Sequence, residues 1–554
     1  MRAGWTIAIR CRSDVQFAFG VSLVWLALYN ISFWEQTLRA MWSPSLGTGV
    51  FILSVFVLTW CLQAVLLLLM PTRLIMRTAA SALFVVAAFS SYFINAYGVV
   101  MSTDMLRNAM QTDPLEVAGL VNIDLVFHVL VFGVFPAVLV WKVELPTSTA
   151  RRQLRQRVLS TAVAIALCAV GVAGCSANYA VYLRAHKPIR YTLSPVAAVV
   201  SAARLAAEPR PDSDLPLQDP GGLARRISPS HPKPLALFIV VGETARASNF
   251  QLGGYNRATT PELASMRDIV YFSNATACGA STAISVPCMF SHLGRGQFKV
   301  DEAGGYTNVL DSLVDAGFDV EWRDNNAGCK GVCARVRTIE YSSRSDPSLC
   351  EESYCHDEVM LQDLPERLRS LTRDTVIVFH QIGSHGPAYA QRYPAAFERF
   401  EPACRSNELQ HCSTQELVNA YDNTIAYTDA VLSRQIDMLR AAADHVDSIL
   451  IYASDHGESL GEQGLYLHGM PYTFAPRVQK EVPMLLWMSP GYAQREHVDL
   501  HCLQAHSRDA VSHDVLYHTI LGAAETRDGV YDPRLDVLAT CRSDALLSDV
   551  AATP

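Results

Sequence analysis

The chain divides into a strongly apolar first part and a mixed second part. Five long runs of apolar residues occupy residues 16–34, 48–70, 77–99, 121–141 and 158–179. Because about 20 apolar residues are needed to cross the hydrocarbon core of a bilayer as a helix, each run predicts one membrane span. The first run is long for a cleaved signal peptide, and further spans follow it. We therefore predict a five-span α-helical membrane domain over residues 1–180.

Cationic residues are concentrated on alternate sides of these spans. The N-terminal tail and the loops after the second and fourth spans hold ten cations: Arg2, Arg10, Arg12, Arg73, Arg77, Lys142, Arg151, Arg152, Arg155 and Arg157. The two remaining short loops hold only Arg39 and Arg107. Since cytoplasmic loops carry the excess of Lys and Arg, the N-terminus is expected in the cytoplasm and everything after residue 180 outside it. A hydrophobic soluble core would not alternate its loop charge in this way.

The second part has the pattern of an α/β domain. Residues 181–234 are expected to form a bridge, with an amphipathic helix at 192–208 on the membrane surface and a linker rich in Pro and Gly at 209–234. The catalytic domain is expected over residues 235–554. Its continuous apolar runs predict strands buried on both faces, at Leu235–Val241, Thr375–His380, Ser448–Tyr452 and Val482–Trp487. Helical segments at 307–316 and 419–442 lie between them, which favours a mainly parallel sheet covered by helices.

Charge and cysteine content limit the classes of function. A net charge of −8 over 554 residues gives no basic face for nucleic acid. Ten of the fourteen cysteines follow residue 277, and an even, closely spaced set in an exported domain predicts disulfides. Pairing of neighbours predicts five of them, namely Cys278–Cys288, Cys329–Cys333, Cys350–Cys355, Cys404–Cys412 and Cys502–Cys541. The alternative is a structural zinc site at Cys329, Cys333, Cys350 and Cys355.

Potential metal ligands follow three of the predicted strands. Glu243 follows the first strand, His385 the second, and Asp455 with His456 the third, with His468 a little further on. In sheets of this kind ligands bind at the carboxyl ends of the strands. Carboxylate oxygens and imidazole nitrogens suit Zn²⁺. Each residue alone is more often an ordinary polar side chain, so the prediction depends on their recurrence at equivalent strand ends.

A nucleophile is expected in the segment CGASTAISVPC, between Cys278 and Cys288. Small residues inside a disulfide loop suggest a hydroxyl at a helix start, where backbone N–H groups favour a phosphate. A metal ion can activate such a hydroxyl. Ser281, Thr282 and Ser285 are all candidates on local chemistry, and a helix-capping role is the alternative for each.

Together these segments resemble a known family. The order VVGETARASNFQLGGYNRATTPEL, CGASTAISVPCMFS, GSHGP, SDHGES and YLHG resembles the lipid A phosphoethanolamine transferases, including those that confer transferable colistin resistance. The resemblance covers nearly the whole chain and implies an alkaline phosphatase (sulfatase)-like fold. It also implies one Zn²⁺, held by Glu243, Thr282, Asp455 and His456, with Thr282 as the nucleophile. His385 and His468 would contact the transferred group or hold a second Zn²⁺.

The resemblance extends to the segment FINAYGVVMSTDMLRNAMQTDPLEV and to DNNAGCKGVC. It implies that Asn108, Thr112 and Glu116 bind the phosphoethanolamine head group together with Lys330. The first three have i, i+4, i+8 spacing and share a helix face, which is otherwise typical of a solvated helix. Many relatives have Ser where this chain has Ala327, so one hydrogen bond to the donor is expected to be missing.

The resemblance implies an enzyme of the bacterial inner membrane with its catalytic domain in the periplasm. It would move phosphoethanolamine from phosphatidylethanolamine to a lipid A phosphate, lowering the negative surface charge that polymyxins recognise. Four alternatives stay open: transfer to a core sugar or another envelope glycan, hydrolysis by a phosphatase or sulfatase of the same fold, phosphoglycerol transfer, and a non-enzymatic membrane receptor or scaffold.

Overall fold

The computed structural model describes residues 9–111, 117, 119–208, 217–227, 231–341, 346, 348–351 and 354–543. The chain forms two compact units. The first comprises Met1–Leu106 and Val121–Ala207, and the second comprises Arg107–Leu120 and Glu208–Pro554.

Helices build the first unit. They are α1 (Asp14–Leu28), α2 (Ile31–Met41), α3 (Leu46–Leu68), α4 (Arg73–Tyr97), α5 (Thr103–Met110, which continues into the second unit), α6 (Ile123–His128), α7 (Phe135–Lys142), α8 (Ala150–Gly174), α9 (Ser176–Ala185) and α10 (Val196–Ala207). A π-helical turn, Val129–Val134, joins α6 to α7, and a 3₁₀ helix, Lys187–Thr192, precedes α10. The amphipathic helix expected at 192–208 is therefore a helix in the structure.

Four spans long and apolar enough to cross a membrane are present in the described part of the chain. The pair α1 and α2 makes a fifth if its two helices, bent by 69°, count as one span. The break differs from the continuous helix predicted over 16–34. Asn30 explains it, because its side-chain amide donates to the carbonyl of Trp25 (2.8 Å) and to that of Ser194 (2.8 Å). These bonds end α1 within an apolar run, so the hydrophobicity of the sequence gives no sign of the break.

Ion pairs join the basic segments of the first unit at one end of its spans. The buried carboxylate of Asp14 lies 2.7 Å from the Arg73 guanidinium and 2.7 Å from that of Arg157. Arg10 pairs with Glu144 at 2.9 Å. These arginines belong to the three basic segments that the charge pattern assigns to one side of the membrane.

A seven-stranded sheet forms the centre of the second unit. Its strands are β1 (Leu235–Gly242), β2 (Ile269–Phe272), β3 (Asp319–Asp324), β4 (Arg337–Glu340), β5 (Thr375–His380), β6 (Asp447–Ser454) and β7 (Met484–Met488), in the spatial order β2-β7-β6-β1-β5-β3-β4. Only β7 runs against the others. Every residue of β1 and β6 is buried, as their continuous apolar sequences predict.

Helices cover this sheet, as expected. They are α11 (Pro261–Ser265), α12 (Thr282–Met289), α13 (Gly294–Gln297), α14 (Val309–Asp315), α15 (Leu364–Ser370), α16 (Thr414–Ala441), α17 (Pro490–Arg495), α18 (Leu500–His506) and α19 (Leu516–Ala523). Part of the predicted linker joins the domain, since Arg225–Arg226 pairs with Thr526–Arg527. The remainder of the linker includes residues outside those described.

Five disulfides cross-link the described part of the second unit. The five predicted pairings are all present, at Cys278–Cys288, Cys329–Cys333, Cys350–Cys355, Cys404–Cys412 and Cys502–Cys541. The alternative of a structural zinc site is wrong, because its four sulfurs form two of these disulfides.

Candidate active site

Parallel pairing brings three strand ends to one edge of the sheet. Ser454 at the end of β6 pairs with Gly242 at the end of β1, and His380 at the end of β5 pairs with Val241. Glu243 and Asp455 therefore follow adjacent strands and lie side by side. The loop after β5 also turns onto Glu243, because the Ser384 amide donates to the Glu243 carbonyl at 3.0 Å. Gly383 is required there: its φ is +49°, and an added Cβ would lie 2.8 Å from that carbonyl oxygen.

Four side chains from three separate parts of the chain meet at this edge. The hydroxyl oxygen of Thr282 lies 3.1 Å from Oε2 of Glu243 and 3.3 Å from Nε2 of His456. The same His456 nitrogen lies 3.5 Å from Glu243 Oε1 and 3.4 Å from Asp455 Oδ2. All four residues are buried. The structure thus brings together the four residues that the family resemblance implied as zinc ligands.

The chemistry of this cluster fits a divalent cation such as Zn²⁺. Glu243, Asp455 and His456 each offer one ligand atom, and these three atoms all lie within 4.8 Å of one another. His456 donates its Nδ1 proton to the carbonyl of Gly457 at 2.9 Å, so the lone pair of Nε2 faces the cluster. Asp455 Oδ2 accepts no hydrogen bond from the described residues although it is buried. An orphaned carboxylate oxygen of this kind is expected where a cation completes the site.

Burial shapes the protonation of the same groups. It raises the pKa of Asp455 to about 6 and lowers the pKa of His456 well below its ordinary value. Both shifts express the cost of placing charge in a buried site. A bound cation would favour the ionised carboxylate and the neutral imidazole, which are the forms that bind metal.

Geometry distinguishes the three candidate hydroxyls. Thr282 is the first residue of α12 and its hydroxyl contacts Glu243 and His456. Ser285 donates its hydroxyl to the Asp455 carbonyl oxygen, so that group is already engaged. The Ser281 hydroxyl is buried without a hydrogen-bond partner among the described residues.

Two residues that sequence reasoning passed over hold this arrangement. Asn326 donates its side-chain amide to Glu243 Oε2 (2.8 Å) and to the carbonyl of Gln381 (2.8 Å). The other is His513, whose Nδ1 accepts the Cys278 N–H at 3.1 Å. Its Nε2 proton goes to the carbonyl of Ser454 (3.0 Å). It therefore connects the nucleophile loop to the strand end that carries Asp455.

A group of imidazoles lies beside the metal cluster. The ring of His468 is 4.4 Å from that of His456 and 5.4 Å from that of His385, between centroids. Burial, followed by the charges of His468 and Arg392, lowers the pKa of His385 well below its ordinary value. Nδ1 of His468 lies 3.4 Å from Oε1 of Glu458. His385 and His468 are thus close to one another and to His456, as their implied roles require.

The predicted head-group residues are only partly described. Asn108 lies on α5, half-buried, whereas Thr112 and Glu116 lie outside the described residues. Lys330 donates its ammonium to the carbonyls of Ala327 (2.8 Å) and Gln111 (3.3 Å). Within the second unit, Gln111, three residues after Asn108, therefore lies beside Lys330. Ala327 offers no side-chain hydrogen bond, and its amide donates to Asn326.

Two protein families match the chain along most of its length. The family described as phosphoethanolamine transferase EptA/EptB matches residues 58–209, and the family described as sulfatase matches residues 236–526. The boundary between the two matches falls between α10 and β1. The fold expected from the sequence, a membrane domain followed by a sulfatase-like domain, is confirmed.

Similarity to individual proteins extends over both parts. The chain is 38% identical to phosphoethanolamine transferase EptA of Escherichia coli K12, over 94% of this chain and 97% of the relative. It is 36% identical to phosphatidylethanolamine transferase Mcr-1 of Escherichia coli, over 84% and 88%. A solved structure, the integral membrane lipooligosaccharide phosphoethanolamine transferase A (EptA) of Neisseria meningitidis, matches with a TM-score of 0.92 at 31% identity, covering 96% of this chain and 99% of that one.

Proposed function

This chain belongs to the phosphoethanolamine transferase family, and we propose that it transfers phosphoethanolamine from phosphatidylethanolamine to a phosphate of lipid A. Its relatives are named as phosphoethanolamine or phosphatidylethanolamine transferases, and one of them, at 28% identity, is named Kdo(2)-lipid A phosphoethanolamine 7''-transferase of Escherichia coli. The proposed location is the bacterial inner membrane. The loop charges support an orientation with the second unit in the periplasm.

The observation that carries the proposal is the position of the Thr282 hydroxyl. It lies at the first residue of an eight-residue helix, against Glu243 and His456. A phosphoryl group bound there would meet free backbone N–H groups of the helix start. Group transfer needs a nucleophile that holds the phosphoryl group between donor and acceptor, and a buried threonine hydroxyl in a ligand cluster meets that need.

Glu243, Thr282, Asp455 and His456 would hold Zn²⁺. When bound, the ion would lower the pKa of the threonine hydroxyl and neutralise phosphoryl oxygens as a Lewis acid. His385 and His468 would contact the transferred group or hold a second ion. Lys330 and Asn108 would bind the ethanolamine phosphate of the donor, together with Thr112 and Glu116.

The proposed reaction has two displacements at phosphorus. First, Thr282 Oγ1 forms a bond to phosphorus, and the bond to the diacylglycerol oxygen breaks. A proton passes from the threonine hydroxyl to that oxygen, so diacylglycerol leaves as an alcohol. Second, a lipid A phosphate oxygen attacks the phosphorus of the phosphoethanolamine group held on Thr282. The bond from phosphorus to Thr282 Oγ1 breaks, and the threonine oxygen regains a proton. The imidazoles of His385 and His468 are suited to carry these protons.

The product has a new ammonium group next to its phosphate. The negative charge at the outer surface falls, and cationic peptides such as polymyxins pair with it less strongly. We therefore propose that the protein gives resistance to colistin.

Mass spectrometry of lipid A tests the proposal. Cells that express the chain should contain lipid A heavier by one phosphoethanolamine, and cells that express Thr282→Ala should not. Ser281→Ala is the matched control, because it removes an adjacent buried hydroxyl outside the metal cluster and should retain transfer. Modification of a core sugar alone, or release of phosphoethanolamine without a modified acceptor, would contradict the proposed acceptor and favour the glycan or hydrolase alternatives.

A further inference from the structure

A deep apolar groove lies within the first unit. Its volume is about 370 Å³, and it is lined by parts of α3, α8, α9, α10 and the 3₁₀ helix before α10. Aliphatic side chains dominate the lining, among them Leu58, Leu62, Val172 and Leu183. The volume is within the usual range of small-molecule sites, about 300–1,000 Å³. One hydrocarbon chain would fill it, whereas a compact polar ligand would leave these surfaces unmatched.

Two guanidinium groups are the charged part of this lining. Arg190 and Arg204 both line the groove and are exposed. Arg204 shares one face of α10 with Ala197 and Val200, which also line the groove. Arg190 contacts the Tyr191 hydroxyl at 2.8 Å and lies 4.7 Å over that ring. Neither arginine forms an ion pair with a described residue, and none of the described lining residues is acidic.

This combination selects a lipid by its head group. An acyl chain is in hydrocarbon whether it occupies the groove or the bilayer, so apolar contact alone gives little preference. Guanidinium groups favour phosphate and can donate to two of its oxygens at once. The ammonium of a zwitterionic lipid would meet two positive charges and no carboxylate.

We propose that the groove binds a net-anionic glycerophospholipid, with one acyl chain between α3, α9 and α10 and the phosphate on Arg190 and Arg204. A lipid bound in this way would contact both α10 and the membrane helices and would stabilise their packing. The inference rests on the proposed function only for the orientation of the protein in the membrane, which would place the bound lipid in the periplasmic leaflet. It involves the membrane unit and requires no transfer of phosphoethanolamine.

Native mass spectrometry of the full-length protein in detergent tests the proposal, with phosphatidylglycerol and phosphatidylethanolamine of identical chains as probes. Phosphatidylglycerol should bind more tightly. The double variant R190Q/R204Q should lose on the order of 20-fold in affinity for it, since each basic residue near an anionic lipid contributes about fivefold. R184Q is the matched control, because Arg184 is exposed on α9 but does not line the groove.

A second pair of variants tests the apolar part. V200W should fill the groove and weaken phosphatidylglycerol binding, whereas V181W, at an exposed position on α9 outside the lining, should not. Equal affinity for the two lipids, or full affinity in R190Q/R204Q, would overturn the proposal. Lipid A modification is measured separately on the same variants and on T282A. Selective lipid binding without any transfer would refute only the proposed function, and transfer without selective binding would refute only the groove.

Discussion

Asn326 offers the sharpest test of how the candidate metal site is held. Its side-chain amide bridges Glu243 Oε2 and the Gln381 carbonyl, each at 2.8 Å, and the side chain is buried. Asn326→Ala removes this bridge and keeps every proposed zinc ligand. We expect the variant to fold, to bind zinc more weakly and to transfer phosphoethanolamine more slowly.

The structure sets the size of the effect. A hydrogen bond to a charged group contributes about 1.5–3 kcal/mol, and about 1.4 kcal/mol corresponds to a tenfold change in affinity. Losing the bond to Glu243 should therefore weaken zinc binding by roughly 10- to 100-fold, which is the usual cost of removing a partner that orients a metal ligand. The bond to the Gln381 carbonyl is between neutral groups, and its loss should lower the free energy of unfolding by about 1 kcal/mol.

Competition with a chelator of known affinity, on the full-length protein in detergent, measures the zinc dissociation constant. Asn423→Ala is the matched control. Asn423 is an equally buried amide that accepts from the Phe400 N–H (2.9 Å) and donates to the Phe400 carbonyl (3.0 Å), away from the metal cluster. It should lose stability and keep its zinc affinity. Equal zinc affinity in Asn326→Ala and the wild type would refute the reasoning.

Two further predictions concern groups near the sheet. Burial, with the hydrogen bond and charge of Glu525, raises the pKa of Glu496 to about 8. Its protonated form therefore stabilises the fold below pH 4.5, and this stabilisation is lost as pH rises through 8. The thermal midpoint of the wild type should fall over that pH range, and Glu496→Gln should make the fall smaller. His513→Ala removes the hydrogen bonds of His513 to Cys278 and Ser454 and its contact with the Ser285 hydroxyl, and should lower kcat about tenfold with little change in KM. H513N and H513Q should each restore one of the bonds to Cys278 and Ser454 and recover part of the loss, whereas an unchanged kcat in H513A would contradict the positioning role.

The convergence of the ligands could be predicted because a parallel sheet collects its strand ends. Glu243, Asp455 and His456 follow strands whose apolar sequences are unmistakable, and those strands are neighbours in the sheet. Thr282 needed more than local chemistry, since Ser281 and Ser285 fit the same pattern. Its selection came from the family resemblance, and the contacts of its hydroxyl now support it on physical grounds.

Asn326 could not be found in the same way because the strand before it does not look buried. β3 has the sequence DVEWRD, yet Glu321 and Arg323 are both fully buried and pair at 2.8 Å. A buried ion pair makes a central strand resemble a surface segment, so the position of Asn326 at the ligand edge was hidden. Asn30 presents the same difficulty in the membrane unit, where one amide breaks an otherwise continuous apolar run.

The candidate site holds charges of both signs, and this bears on how one hydroxyl could serve both a cation and a phosphate. Glu243 and Asp455 place two carboxylates around Nε2 of a neutral His456. Positive groups act on the neighbouring His385, since Arg392 donates to its carbonyl at 2.9 Å, and burial, together with the charges of His468, Arg392 and Lys330, lowers the pKa of its imidazole. A cation is attracted to the carboxylates, and phosphoryl oxygens are attracted to the positive groups. Separate residues therefore attract the metal and the phosphoryl group, so Thr282 need not exchange one for the other.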